Sequence, residues 1–170
     1  GVGRGGEGRS REGGKKLRDR ALWEFLYSSG SRSNESRNVK LADLDLKSGM
    51  VRINVPKGGI TYQRVVPVGK ESCEWIHKYL KEVRPGLIPA GTLDEGWLFV
   101  NKHGKQMSKA MILNIVKTWK IKAGIKKNLV THSFRVSCAT EMLKGGANIK
   151  YVQQQLGHTS IQSTEKYLRL

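Results

Sequence analysis

Apolar residues recur at helical spacing in several stretches of the chain, and in one stretch they alternate with polar residues. The helical stretches are residues 16–27, 70–83, 108–123, 132–143 and 149–156. Val51, Ile53 and Val55 alternate with polar neighbours, and a second strand is predicted at residues 60–66. Lys57, Gly58 and Gly59 separate the two strands, which predicts a β-hairpin with a basic tip. The predicted fold class is therefore mainly α with a small antiparallel β-sheet (α+β).

The remaining segments are shorter. A short helix is predicted after Asn34, a turn at residues 43–45, a loop at 85–95 and a short buried segment at 97–100. Ser108 is placed to cap the helix that follows it, and Thr159 with Gln162 forms a candidate capping box for a last helix that carries Tyr167.

Composition divides the chain into a lead and one domain. Residues 1–14 contain seven glycines mixed with Arg and Glu, which predicts a flexible lead or linker over residues 1–15. Residues 16–170 are enough for one domain with one hydrophobic core.

Charge narrows the range of partners. The chain has 31 Lys and Arg against 14 Asp and Glu, a net charge of +17. So many positive charges repel one another in the folded chain, and an anionic partner would relieve that repulsion. Nucleic acid is the first candidate partner and an acidic membrane surface is the second. No apolar run reaches the roughly 20 residues of a membrane helix, which weakens the membrane alternative. Cys73 and Cys138 have neither disulfide-scaffold nor zinc-site spacing, which fits a reducing cytosol.

Three small patterns near the C-terminus carry candidate chemistry. His132 and Arg135 share a helix face, and a guanidinium on the edge of a buried face suits a phosphate from outside. His158 follows a helix-ending glycine, beside backbone N–H groups that favour an anion. Tyr167 is a weak nucleophile unless neighbouring cations or a base activate it. Taken singly, each pattern is more often structural than functional.

The order of the patterns is more informative. H-S-F-R, L-G-H-T-S and T-E-K-Y-L follow one another in the last part of the chain. Gly30, Arg32 and Glu35 form G-x-R-x-x-E after the first helix, and Lys57 lies at the hairpin turn, ahead of R-x-V-P-V at residues 64–68. Together these motifs resemble the catalytic domain of the tyrosine recombinases, the phage-integrase and Xer-like enzymes, over about residues 16–170.

The resemblance implies a mechanism. Tyr167 attacks a scissile phosphodiester and forms a 3′-phosphotyrosine link, while Arg32 and Arg135 hold the non-bridging oxygens. His132 accepts or relays the tyrosine proton, Lys57 protonates the leaving 5′-oxygen and His158 hydrogen-bonds the phosphate. Glu35 orients the Arg32 loop. Neither a metal, ATP nor another cofactor is expected.

It also implies partners. The expected ligand is double-stranded DNA, and the protein is expected to be a homotetramer on synapsed DNA and a monomer in isolation. The expected location is the cytoplasm, at the nucleoid and not at a membrane. The chain is expected to be a catalytic fragment or a minimal member, because the N-terminal clamp domain of most relatives is not seen. Ser31 and Ser36 stand where the family usually has apolar residues, which predicts looser packing around Arg32, and Val136 replaces a common histidine.

Alternative functions remain open at this point. A type IB topoisomerase would use the same chemistry and religate the same strand as a single protomer. A catalytically silent DNA-binding protein would share the charge and the fold, and a basic RNA-binding or ribosomal protein would share the charge alone.

Overall fold

The computed structural model describes residues 4–122, which form a helical unit with one small sheet. The helices are α1 (Arg4–Ser29), α2 (Ser33–Arg37), α3 (Lys70–Glu82), α4 (Arg84–Leu87) and α5 (Lys109–Lys122), and a 3₁₀ turn spans Leu41–Asp43. The strands are β1 (Leu44–Asp45), β2 (Met50–Lys57) and β3 (Ile60–Pro67). The fold class agrees with the prediction. The helices predicted beyond residue 123 lie outside the described residues.

The sheet has three antiparallel strands in the order β1-β2-β3. The predicted hairpin is confirmed, with Val51 opposite Val66 and Lys57 opposite Ile60. The predicted turn at residues 43–45 is wrong in part, because Leu44 and Asp45 pair with β2 as strand β1. Two residues are too few to show alternation, so this strand leaves no pattern in the sequence.

The first helix starts at Arg4, well before the start predicted near Lys16. Helical glycine costs about 1 kcal/mol relative to alanine but does not forbid the helix. Two observations fit a longer helix: Glu12 and Lys16 pair at 3.6 Å one turn apart, and a Cβ on Gly14 would lie 3.6 Å from Val83. The first helix therefore extends N-terminal to Lys16, beside the end of α3. The domain boundary at residue 15 stays a prediction.

Aromatic rings join α1, α3 and the segment predicted to be buried at residues 97–100. The ring of Phe99 stacks on Tyr79 and meets the edge of Phe25, both at 5.6 Å between ring centres. The Tyr79 hydroxyl donates to the Leu98 carbonyl at 3.0 Å and accepts from the Val100 N–H at 3.3 Å. Burial raises the pKa of Tyr79 to about 12. This hydroxyl is therefore a neutral structural group at physiological pH.

Two predictions about helix starts have different outcomes. The Ser108 Oγ accepts a hydrogen bond from the Met111 N–H at 3.1 Å, so the predicted cap of α5 is confirmed. The loop predicted at residues 85–95 instead begins inside α4. Arg84 ties this region together, because its guanidinium donates to both Asp94 carboxylate oxygens, at 2.6 and 2.7 Å, and to the Trp97 carbonyl.

The Arg84–Asp94 pair predicts a loss of stability in acid. Hydrogen bonds from Arg84 and from the Gly96 N–H lower the pKa of Asp94 from 3.8 to about 2. A lowered folded-state pKa stabilises the fold above the unfolded value, and this contribution disappears as the pH falls from about 4 to about 2. In urea titrations, Asp94→Asn should lower the free energy of unfolding at pH 7 and flatten its decline in that window.

The matched control is Glu74→Gln, which removes an exposed carboxylate from α3. This variant is expected to keep the wild-type dependence of stability on pH. An Asp94→Asn protein with the same acid slope as wild type would contradict the assignment.

Candidate active site

The candidate site begins where α1 ends. Gly30 has a positive φ of 64°, and its N–H donates to the Leu26 carbonyl at 3.0 Å, a left-handed ending that glycine adopts without strain. The chain then turns, and Arg32 becomes the residue that precedes α2, with extended backbone at φ −72° and ψ 155°. Its side chain is 51% exposed. The turn therefore presents a half-exposed guanidinium next to a buried helix end.

Serines support this turn from inside. Ser31 and Ser36 are buried, although the family resemblance predicted looser packing around Arg32. The Ser29 and Ser31 hydroxyls share a hydrogen bond of 2.9 Å, and Ser29 also donates to the Phe25 carbonyl at 2.7 Å. The Ser36 hydroxyl lies 3.0 Å from the Arg32 carbonyl and 3.0 Å from the Ser33 carbonyl. These hydrogen bonds satisfy the buried hydroxyls and hold the backbone on both sides of Arg32.

Glu35 is the buried anion of the site. Its Oε1 accepts from the Arg32 backbone N–H at 2.9 Å, which caps the start of α2. Its Oε2 lies 3.8 Å from the Arg32 guanidinium. Both oxygens accept from the guanidinium of Arg64, at 2.8 and 2.9 Å. The carboxylate thus connects the Arg32 turn to strand β3.

Lys57 lies at the end of β2, on the tip of the hairpin. Gly58 and Gly59 form the two-residue turn with φ of 60° and 77°, the conformation that a tight hairpin of this kind requires. The strand register places Lys57 on the same sheet face as Arg64, which is opposite Ile53. Lys57 lies four positions beyond Ile53 along β2, about 13 Å at the usual rise. Lys57 is exposed.

The structure thus brings Arg32 and Glu35 together and places Lys57 on the hairpin whose strand carries Arg64. The other predicted site residues, His132, Arg135, His158 and Tyr167, lie outside the described residues. Over residues 4–122 there is no group of three or more His, Cys, Asp or Glu that is arranged to hold a metal ion. In the same part of the chain, no helix is long and apolar enough to cross a membrane.

Arg64 is a residue of this site, within the described part of the chain, that the sequence motifs did not identify as functional. Arg64 alternates with Val66 along β3, and Val66 is fully buried. A charged residue at an inward position was the available signal, because a buried guanidinium needs an anionic partner. That signal did not identify the partner, which lies 29 residues earlier in the chain.

Comparison with known proteins places this site in a family. The model of the phage integrase family matches residues 9–170. The chain is 40% identical to tyrosine recombinase XerD of Chlorobaculum tepidum over 154 residues, which are 91% of the chain and 49% of that protein. It is 39% identical to XerD of Staphylococcus epidermidis over 150 residues, 88% of the chain and 49% of that protein.

Solved structures agree with these sequence matches. XerA recombinase superposes with a TM-score of 0.82 at 28% identity, covering 99% of this chain and 60% of that one. XerH recombinase, in a pre-cleavage complex with its difH substrate, has a TM-score of 0.76 at 26% identity, covering 92% and 44%. The chain belongs to the phage integrase family, the tyrosine recombinases, as its motifs predict. It spans about half the length of the curated relatives that it matches.

Proposed function

We propose that this chain is the catalytic domain of a site-specific DNA recombinase, which cuts and rejoins strands through a covalent tyrosine intermediate. The observation that carries the proposal is the exposed guanidinium of Arg32, held at a backbone turn fixed by Glu35. A planar guanidinium matches phosphate oxygens with paired hydrogen bonds. An exposed arginine on a rigid, hydrogen-bonded turn suits a phosphate that arrives from outside.

In the proposed reaction, the Tyr167 oxygen attacks the scissile phosphorus. A bond forms between that oxygen and phosphorus, and the bond between phosphorus and the 5′-oxygen breaks. The phenolic proton passes to or through His132, and Lys57 supplies a proton to the leaving 5′-oxygen. The products are a 3′-phosphotyrosine link and a free 5′-hydroxyl. Reversal of the same steps by another 5′-hydroxyl rejoins a strand, so no nucleotide cofactor is consumed.

The remaining groups are assigned to the phosphate. Arg32 and Arg135 would bind its non-bridging oxygens, and His158 would donate a further hydrogen bond. Such preorganised donors act where charge develops in the transition state, and losing one typically costs about 3 kcal/mol. Glu35 is assigned to orientation of the Arg32 turn, which its hydrogen bond to the Arg32 N–H supports.

Double-stranded DNA is the proposed partner. The net charge of +17 favours a polyanion, and the related XerH has been solved on its difH substrate, before and after cleavage. We further propose that four protomers assemble on two synapsed sites, because exchange of strands between two duplexes requires four cuts. The proposed location is the bacterial cytoplasm, at the nucleoid, since the XerD relatives are bacterial.

Covalent capture tests this proposal. The chain is incubated with a library of nicked duplexes of randomised sequence, labelled on the strand that would keep the 3′-phosphate. The nick lets a short 5′-hydroxyl fragment diffuse away, so a cleaved complex cannot religate. We expect a labelled protein–DNA adduct that survives denaturant, and sequencing of the captured DNA gives a substrate for later assays.

Two results would contradict the proposal. One is the absence of an adduct across the whole library. The other is an adduct that carries only the opposite label, because attachment to a 5′-phosphate requires a different reaction. If the chain binds the library but forms no adduct, the result favours the alternative of a catalytically silent DNA-binding protein.

A further inference from the structure

Arg64 is a charged residue at the edge of the buried face of the sheet, between buried Val66 and exposed Tyr62. Arg64 lies on β3, opposite Ile53 of β2. The next pair on the same face, away from the hairpin tip, is Val51 and Val66, both fully buried. Its side chain is only 11% exposed, and that of Glu35 is 5% exposed. Two paired hydrogen bonds join them at 2.8 and 2.9 Å. This geometry is the strong, bidentate form of an arginine–carboxylate contact.

Glu35 has two arginines within reach and binds them differently. Arg64 takes both carboxylate oxygens at hydrogen-bond distance, whereas the Arg32 guanidinium is 3.8 Å away and half exposed. The part of Arg32 that Glu35 binds closely is its backbone N–H, which donates to Oε1 at 2.9 Å. The carboxylate therefore fixes the Arg32 backbone while the Arg32 guanidinium stays half exposed and more loosely paired.

We propose that Arg64 is a positioning residue that keeps Arg32 available for phosphate by occupying Glu35. The inference rests on the proposed function of Arg32. A buried carboxylate without Arg64 would need another cation, because an unpaired buried charge is costly. Arg32 is the cation already beside it. Without Arg64, Glu35 would draw in the Arg32 guanidinium and compete with the DNA phosphate for it.

The inference makes an unusual prediction about a pair of variants. Arg64→Met should slow adduct formation by about 10²-fold, the effect of losing one transition-state donor. Adding Glu35→Gln should restore part of that rate, because a neutral amide competes weakly for Arg32. A merely structural Arg64 predicts the same recovery, because removing both halves of a buried ion pair restores stability. The two roles are therefore distinguished by the mobility of the Arg32 guanidinium.

Rates are measured with the captured nicked duplex, and binding to the same duplex is measured by fluorescence anisotropy. Arg52→Met is the matched control. Like Arg64, Arg52 is an arginine of the hairpin that pairs with a carboxylate, in this case that of Asp43, but it lies on the opposite sheet face. The Arg52→Met variant removes the same charge as Arg64→Met and should retain the wild-type cleavage rate. Arg64→Lys, which keeps the charge without the paired geometry, should give an intermediate rate and covers the case in which Arg64→Met does not fold.

A second measurement does not depend on catalysis. Nitrogen-15 NMR of arginine side chains reports how freely a guanidinium rotates. We expect slow rotation of the Arg32 guanidinium in Arg64→Met, and fast rotation in wild type and in the double variant. Wild-type rates of cleavage in Arg64→Met, or unchanged Arg32 rotation, would overturn the inference. Failure of wild type to form any adduct would contradict the proposed function instead, and the NMR result would still decide whether Glu35 captures Arg32.

Discussion

Tyr167→Phe should abolish the covalent adduct while DNA binding remains. The phenol oxygen is the only atom removed, and it is the atom proposed to bond to phosphorus. A ring without that oxygen has no nucleophile to offer, so the loss should be complete rather than partial. The measurement is adduct formation on the captured nicked duplex, with binding followed by fluorescence anisotropy on the same DNA.

Tyr62→Phe is the matched control for this variant. Tyr62 lies on the hairpin, is 55% exposed and loses the same hydroxyl. It should form the adduct at close to the wild-type rate. Adduct formation by Tyr167→Phe would show that another residue attacks the phosphate, and it would remove the central assignment of the mechanism.

The described part of the site was largely predictable where it depends on local pattern. Alternating apolar residues and a Gly-Gly turn predicted the hairpin, and its register places Lys57 at the tip. The motif around Arg32 predicted a functional turn after the first helix. These features depend on residues that are near one another in sequence, so a single sequence contains the information.

Features that depend on distant contacts were not predictable in the same way. The pairing of Arg64 with Glu35 joins a strand to a helix, and no local rule specifies that partner. The buried serines illustrate the same limit. Ser31 and Ser36 predicted looser packing because the family usually has apolar residues there, yet their hydroxyls find acceptors or donors within the turn. Hydrogen-bond satisfaction depends on three-dimensional geometry, and residue type alone does not indicate it.

The contact between Arg64 and Glu35 also affects the placement of Lys57 at the hairpin tip. The strand that carries Arg64 is paired with the strand that ends at Lys57, so the contact with Glu35 fastens the hairpin to the helix that follows Arg32. The hairpin tip itself extends beyond this contact by about 13 Å of strand. The base of the hairpin is therefore anchored, and Lys57 lies on an exposed extension that can approach the proposed DNA substrate.

Lys57→Ala should slow cleavage of ordinary DNA by about 10²- to 10⁴-fold, the usual contribution of a general acid. Without a proton donor, the 5′-oxygen must leave as an alkoxide, which is a poor leaving group. Replacing that bridging oxygen with sulfur removes the need for a donor, because a thiol has a pKa near 8.5 and leaves readily as a thiolate. Lys57→Ala should therefore cleave the sulfur-containing duplex at nearly the wild-type rate.

The pattern of rescue distinguishes a proton donor from a residue that binds phosphate. Lys47→Ala is the matched control, since Lys47 is an exposed lysine in the turn between β1 and β2, at the other end of the sheet. It should cleave both substrates like wild type. Arg32→Ala should be slow on both, because the charge on the non-bridging oxygens is unchanged by sulfur at the bridging position. If Lys57→Ala were equally slow on both duplexes, Lys57 would bind the phosphate rather than protonate the leaving group, and the acid would have to be another residue.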